Sequence, residues 1–160
     1  MKSRLSNLAQ VSADAMKAMR GLQGYVDGSG LEHALLELVK MRASQVNGCA
    51  YCLDMHSKDA RAAGETEQRL YLLDAWREAP FYSPRERAAL AWTEALTRIA
   101  DTHAPDDVYE ALRAQFSEKE IVDLTMAIVA INGWNRIAIG FRTEAGTYQP
   151  AKAARAATGD

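Results

Sequence analysis

The chain lacks an excess of charge of either sign. Nineteen lysines and arginines stand against 21 aspartates and glutamates, a net charge of −2. The basic residues are scattered, so the basic stripe that a nucleic-acid-binding protein presents is missing. A convincing membrane span is missing too. The most apolar segment, 124–141, carries Asn132, Asn135 and Arg136, which a bilayer interior disfavours. The opening "MKSRLSNLAQ" has no apolar signal-peptide core, and the expectation is a cytoplasmic protein that meets no membrane. No run alternates apolar and polar residues between turn signals, which removes the usual evidence for strands. Repeats, low-complexity linkers and composition breaks are also absent, so one domain is expected. At 160 residues it buries about two-thirds of its unfolded surface without crosslinks. Cysteine occurs only twice, and neither a second CxxC nor an HxxxH pair accompanies it.

What is present is helical nearly throughout: the pattern predicts an all-α chain of about six to seven helices. A first helix follows Ser12 as N-cap and runs to about Tyr25, and "DGSG" at 27–30 breaks the chain. The second covers 31–46, with Leu31, Leu35, Leu38, Val39 and Val46 on one face, and ends in a left-handed cap at Asn47-Gly48. A third spans about 49–64 and a fourth about 67–78. "SPRE" at 83–86 combines a serine cap, a proline at the first helical position and a capping-box glutamate. Ala88, Ala89, Trp92, Leu96 and Ile99 follow it on one face. A short helix is predicted at 106–115. "SEKE" at 117–120 is a second capping box, flanked by a Phe116–Ile121 staple. The helix it opens, to about Arg142, is apolar on every side from Ile121 to Ile131, as a central helix or an oligomer seam would be. The domain is assigned to 1–145, and 146–160 is expected to be a loose tail.

The chemistry concentrates in "NGCAYCLDMH" at 47–56, where Cys49, Cys52 and His56 share one helical stripe with Ala60 and Ala63. Cys52 and His56 are neighbours at i, i+4. Both cysteines fall in a first helical turn, where free N–H groups and the dipole favour an anion. A helix start, a nearby imidazole and CxxC geometry each lower a thiol pKa from about 8.5. Glu37, on the preceding helix, can fold back to orient His56 or relay its proton. Other readings compete: a structural zinc site on Cys49, Cys52, His56 and Glu37, or plain core cysteines beside a satisfied histidine. Arg42 reads as a buried ion-pair or snorkelling residue. Trp134, Asn135 and Arg136 read as satisfied core polarity or as pocket lining. His33 and His103 read as surface residues, and "APFYSP" at 79–84 as a connection that covers a pocket or simply packs.

Glu37, eleven intervening residues, then "CAYCLDMH" at 49–56 resembles the signature of AhpD-like (alkylhydroperoxidase D-like) proteins of the carboxymuconolactone decarboxylase superfamily. The likeness extends over about 31–141 and includes "SPRERAALAWTEAL" and "AINGWNR". It implies an all-α homo-oligomer, commonly a trimer or hexamer. It implies that Cys52 is a peroxidatic thiol, that Cys49 resolves it, and that His56 and Glu37 relay protons. The expected activity is reduction of a small hydroperoxide by a dithiol protein, thioredoxin-like or lipoyl-bearing, with no metal and no other cofactor. Tyr51 departs from the best-studied branch, which has a histidine inside the CxxC. Two other readings remain: a redox-sensing oligomer that does not turn over efficiently, and a lyase acting on a lactone or acid.

Overall fold

The structure, a computed structural model, describes residues 2–150, and among these it is all-helical. The helices are α1 (Leu8–Val11), α2 (Ala13–Asp27), α3 (His33–Asn47), α4 (Ala50–Ala62), α5 (Glu67–Tyr71), α6 (Pro84–Thr97), α7 (Ile99–Thr102), α8 (Asp106–Arg113) and α9 (Glu118–Phe141). Both capping boxes form. Ser83 Oγ accepts from Glu86 N while Glu86 accepts from Ser83 N, and Ser117 and Glu120 repeat the exchange at α9. Phe116 and Ile121 are buried in one cluster, as the staple requires.

The element enclosed on all sides is α3, packed against α4, α6 and α9. Ten consecutive residues, Leu35 to Ser44, are buried, including Glu37, Lys40 and Arg42. Of the two readings offered for α9, a central helix or an oligomer seam, the first gives way. That helix buries Leu124, Ala127, Ile128 and Ile131, but Val122 and Val129, seven residues apart, are 56% and 49% exposed. By length and composition alone α9 would pass for a membrane span. Here it lies against α2, α3 and α6, with buried Asp123, Asn132 and Asn135 all hydrogen-bonded. Arg42 forms the buried ion pair foreseen for it. Its Nε donates to Glu94 Oε1 at 2.8 Å, and Trp76 Nε1 donates to the same oxygen at 2.8 Å. Arg42 also bonds Asp74.

Several boundaries differ from the sequence reading. Ser12 precedes α2 but makes no side-chain cap bond, and the one-turn α1 before it was not foreseen. The predicted helix at 67–78 breaks after Tyr71 into a 3-10 turn at Leu73–Ala75, which lets Asp74, Trp76 and Arg77 reach the Arg42–Glu94 pair. α6 stops at Thr97, so Ile99 leaves the core face and is exposed. The buried stripe of α4 ends at Ala60 and excludes Ala63. In the 79–84 connection Tyr82 packs inward and Phe81 outward. His103 is exposed, as expected. The tail expected to be loose is partly held. Gly146 N donates to Asp54 Oδ2 (3.0 Å), Lys58 Nζ to the Tyr148 carbonyl (3.0 Å), and the Tyr148 hydroxyl to the Asp59 carboxylate (2.8 Å), all on α4. Residues 151–160 lie outside the described residues.

Candidate active site

The site begins with the turn between α3 and α4. Gly48 has φ +68°, a left-handed conformation that costs glycine nothing and a residue with a Cβ about 1 kcal/mol or more. Gly48 N donates to Gln45 O and Cys49 N to Ser44 O, a Schellman closure that satisfies two end carbonyls of α3. The chain then reverses, and Cys49 becomes the N-cap of α4 with its sulfur accepting from Cys52 N at 3.4 Å. The end of α3 is tied to α9 by amides. Asn47 Nδ2 donates to Asn132 Oδ1 (3.0 Å) and Asn135 Oδ1 (2.8 Å), and Asn135 Nδ2 donates to Ser44 Oγ (3.1 Å). Asn135 is thus satisfied core polarity.

The hairpin brings together the four residues that the sequence singled out. Cys49 and Cys52 are paired as a disulfide, with their Cα atoms 5.4 Å apart. His56 Nδ1 lies 2.9 Å from Glu37 Oε2, and both side chains are buried. On its other oxygen Glu37 accepts from Lys40 Nζ at 2.9 Å. Burial pushes the Glu37 carboxyl up, but the hydrogen bond and charge of His56, with those of Lys40, outweigh it and hold the group down at about 2. Glu37 is therefore ionised at neutral pH and can only accept. The shared proton must sit on His56 Nδ1, which leaves Nε2 outside that bond.

Cys52, His56, Glu37 and Lys40 line one cavity of about 590 Å³. Leu36, Met55, Trp134 and Ile137 make its apolar walls. Trp134 is held there by its Nε1 donating to Gln23 Oε1 at 3.2 Å, so it is pocket lining, one of the two alternatives weighed for it. His33 is exposed, as expected, but its Nε2 stands 3.9 Å from Glu37 Oε1 at the rim of the cavity.

Three residues near the site were not singled out from the sequence. Lys40 and Asp59 carry a readable signal, since they lie one helical turn after Glu37 and His56. Tyr148 carries none, because it arrives from 89 residues beyond Asp59. Burial, then the Asp59 hydrogen bond and charge, push the Tyr148 phenol up to about 12. In this oxidised state the two sulfurs are bonded to each other, and His56 and Lys40 hold the Glu37 oxygens. Among the described residues the nearest approach to a ligand cluster is Glu37, His56 and Asp59, within 4.8 Å and without a cysteine.

Comparison with known proteins gives the family and the fold. The carboxymuconolactone decarboxylase family matches residues 13–95. YdfG of Bacillus subtilis, itself uncharacterised, is 45% identical over 136 residues, covering 85% of this chain and 92% of its own. ATU0492 of Agrobacterium tumefaciens, a protein of unknown function linked by name to the antioxidant defence protein AhpD, superposes with a TM-score of 0.88. It is 52% identical over 92% of this chain and 100% of its own. The debrominase Bmp8 shares the fold at a TM-score of 0.78, with 22% identity over 86% of this chain and 74% of its own. This chain belongs to the carboxymuconolactone decarboxylase family, as one of its AhpD-like members.

Proposed function

We propose that the protein is a thiol-dependent hydroperoxide reductase. The observation that carries this reading is the shared cavity. Cys52 opens into the same space as a histidine fixed on an ionised glutamate, and a second cysteine is close enough to bond it. With both thiols reduced, the first turn of α4 and His56 favour the Cys52 thiolate. That thiolate attacks the distal peroxide oxygen, the O–O bond breaks, and the leaving oxygen takes a proton from His56. Cys52 becomes a sulfenic acid. Cys49 attacks its sulfur, water leaves, and the disulfide results. A dithiol protein, thioredoxin-like or lipoyl-bearing, returns two electrons by exchange. No step requires a metal or an organic cofactor. Cys49 also stands at the helix start, but only Cys52 shares the cavity of the imidazole, so Cys52 takes the peroxidatic role and Cys49 the resolving one. We propose further that the exposed Val122 and Val129 of α9 are covered in a homo-oligomer, a trimer or hexamer.

Peroxide consumption with dithiothreitol as donor tests the roles. Cys52→Ser should abolish consumption, and Cys49→Ser should accumulate a dimedone-reactive sulfenic acid on Cys52. His56→Ala should slow oxidation of Cys52 by roughly a hundredfold. If Cys49 is the residue trapped by dimedone, the roles are inverted. If the disulfide forms but peroxide is never turned over repeatedly, the protein is a redox sensor. A second reading rests on the apolar walls of the cavity and the fold shared with Bmp8: reductive removal of halide from a small aromatic ring by the same cysteine pair. Bromide release from a bromopyrrole with dithiothreitol present, without peroxide turnover, would favour it.

A further inference from the structure

The two cysteines of the disulfide line different cavities. Cys52 lines the 590 Å³ cavity with His56 and Glu37, and Cys49 does not. Cys49 instead lines a second cavity, of about 780 Å³, formed by the start of α4, the end of α9 and the segment after it. Tyr51, Ala138 and Thr143 border both, so they form the partition. Each sulfur is nearly enclosed by the rest of the protein: Cys49 is 1% exposed and Cys52 2%. A reagent that attacks one of them must enter through that sulfur's own cavity.

The cavities also differ in charge. The one at Cys49 carries Lys2 and Arg142 against a single carboxylate, Glu144. The one at Cys52 carries Asp27, Glu37 and Asp59, with Lys40 bound to Glu37. Thiol–disulfide exchange proceeds through the thiolate of the attacking reagent. A thiolate is attracted to the first cavity and repelled by the carboxylates of the second.

We propose that the disulfide is broken from the side opposite to the one on which it is made: the dithiol donor enters the Cys49 cavity and attacks that sulfur, while the peroxide enters at Cys52. This rests on the hydroperoxide reductase reading for the direction of turnover. In the first step a donor thiolate bonds Cys49 Sγ, the S–S bond breaks, and its electron pair leaves on Cys52 Sγ. The second donor thiol then loses its proton, bonds the first donor sulfur and displaces Cys49, which takes up a proton. The donor departs as a disulfide, having supplied two electrons. Cys52 is thereby released as a thiolate beside His56, ready for the next peroxide, and the two substrates never compete for one cavity.

The test uses the oxidised wild-type protein and no peroxide. 2-Mercaptoethanol, a monothiol with no second thiol to resolve the mixed disulfide within the same molecule, is added at one equivalent and followed at once by excess iodoacetamide, and tandem mass spectrometry locates both modifications. The expected result is the mercaptoethanol adduct on Cys49 and carbamidomethyl on Cys52. The reverse pattern, or an even mixture, overturns the proposal and leaves the peroxidase reading standing. Failure to consume peroxide would sink that reading without altering this map. Two variants add a kinetic check. Ile139→Trp, in the Cys49 cavity only, should slow reduction by dithiothreitol tenfold or more and leave oxidation of the reduced protein within twofold of wild type. Met55→Trp, in the Cys52 cavity only, should do the opposite. Equal effects on both half-reactions would also overturn it.

Discussion

Glu37→Gln isolates the electrostatics of the site while keeping its shape. The wild-type carboxylate accepts from His56 Nδ1 at 2.9 Å on one oxygen and from Lys40 Nζ at 2.9 Å on the other. Glutamine keeps one acceptor and turns the other into an NH2 group, which cannot receive a proton from either partner. It also leaves the Lys40 ammonium, 7% exposed, without its counter-charge. A carboxyl held at about 2, against an ordinary 4.5, contributes up to about 3 kcal/mol of stability at neutral pH. That agrees with the roughly 3–5 kcal/mol measured when one member of a buried pair is removed. The sign follows from the depression. The contribution is complete above the unfolded value near 4.5 and disappears as pH falls through the folded value near 2. Urea titrations of wild type and variant at pH 7, 4 and 2.5 should therefore show a gap of about 3 kcal/mol that narrows steadily with acid. Groups common to both proteins, such as Glu120, cancel in the difference. A gap that stays constant from pH 7 to 2.5, or no gap at pH 7, would refute the reasoning.

The remaining predictions concern the frame. Gly48→Ala should cost about 1–2 kcal/mol by thermal unfolding, because a Cβ meets open space at this position and only the left-handed backbone resists it. Leu124→Ala, at a fully buried position on α9, should cost roughly 2–5 kcal/mol through lost burial and the cavity left behind, read by urea denaturation. Tyr148→Phe removes the bond to Asp59 and should speed tryptic cleavage at the exposed Arg142 without changing the unfolding midpoint by more than about 1 kcal/mol. Light scattering at micromolar concentration should return a mass of at least three chains; a monomer would contradict the proposed assembly.

The parts legible in the sequence were those written in local signals. Ser83 and Ser117 declare their helices through capping boxes a few residues long, and Gly48 declares the reversal between α3 and α4. The pairing of Glu37 with His56 follows once that reversal is granted. Signals that depend on distant partners were hidden. Helix α3 did not look enclosed, because its apolar face accounts for one side only, and the burial of Lys40 depends on the Glu37 carboxylate that His56 holds in place. The reverse held for α9, whose outward valines left a central helix and an oligomer seam equally open. The break at Leu72 is set by Glu94 drawing in Trp76 and Arg77 from across the fold. Nothing in the spacing of Tyr148 points to Asp59.

The arrangement of the site separates two rates of change. Glu37, Cys49, Cys52 and His56 lie within twenty consecutive residues, one helical hairpin with a glycine at its bend. Such contacts are local, close at little entropic cost, and form early in folding. Trp134, Ile137 and Met16 reach the same cavity from α9 and α2, more than eighty residues after Cys52 and 36 before it. Substitutions in α2 and α9 can therefore remould what the cavity admits while the redox hairpin stays intact. Under the proposed function, a lineage carrying this hairpin can keep its thiol chemistry and exchange its substrates.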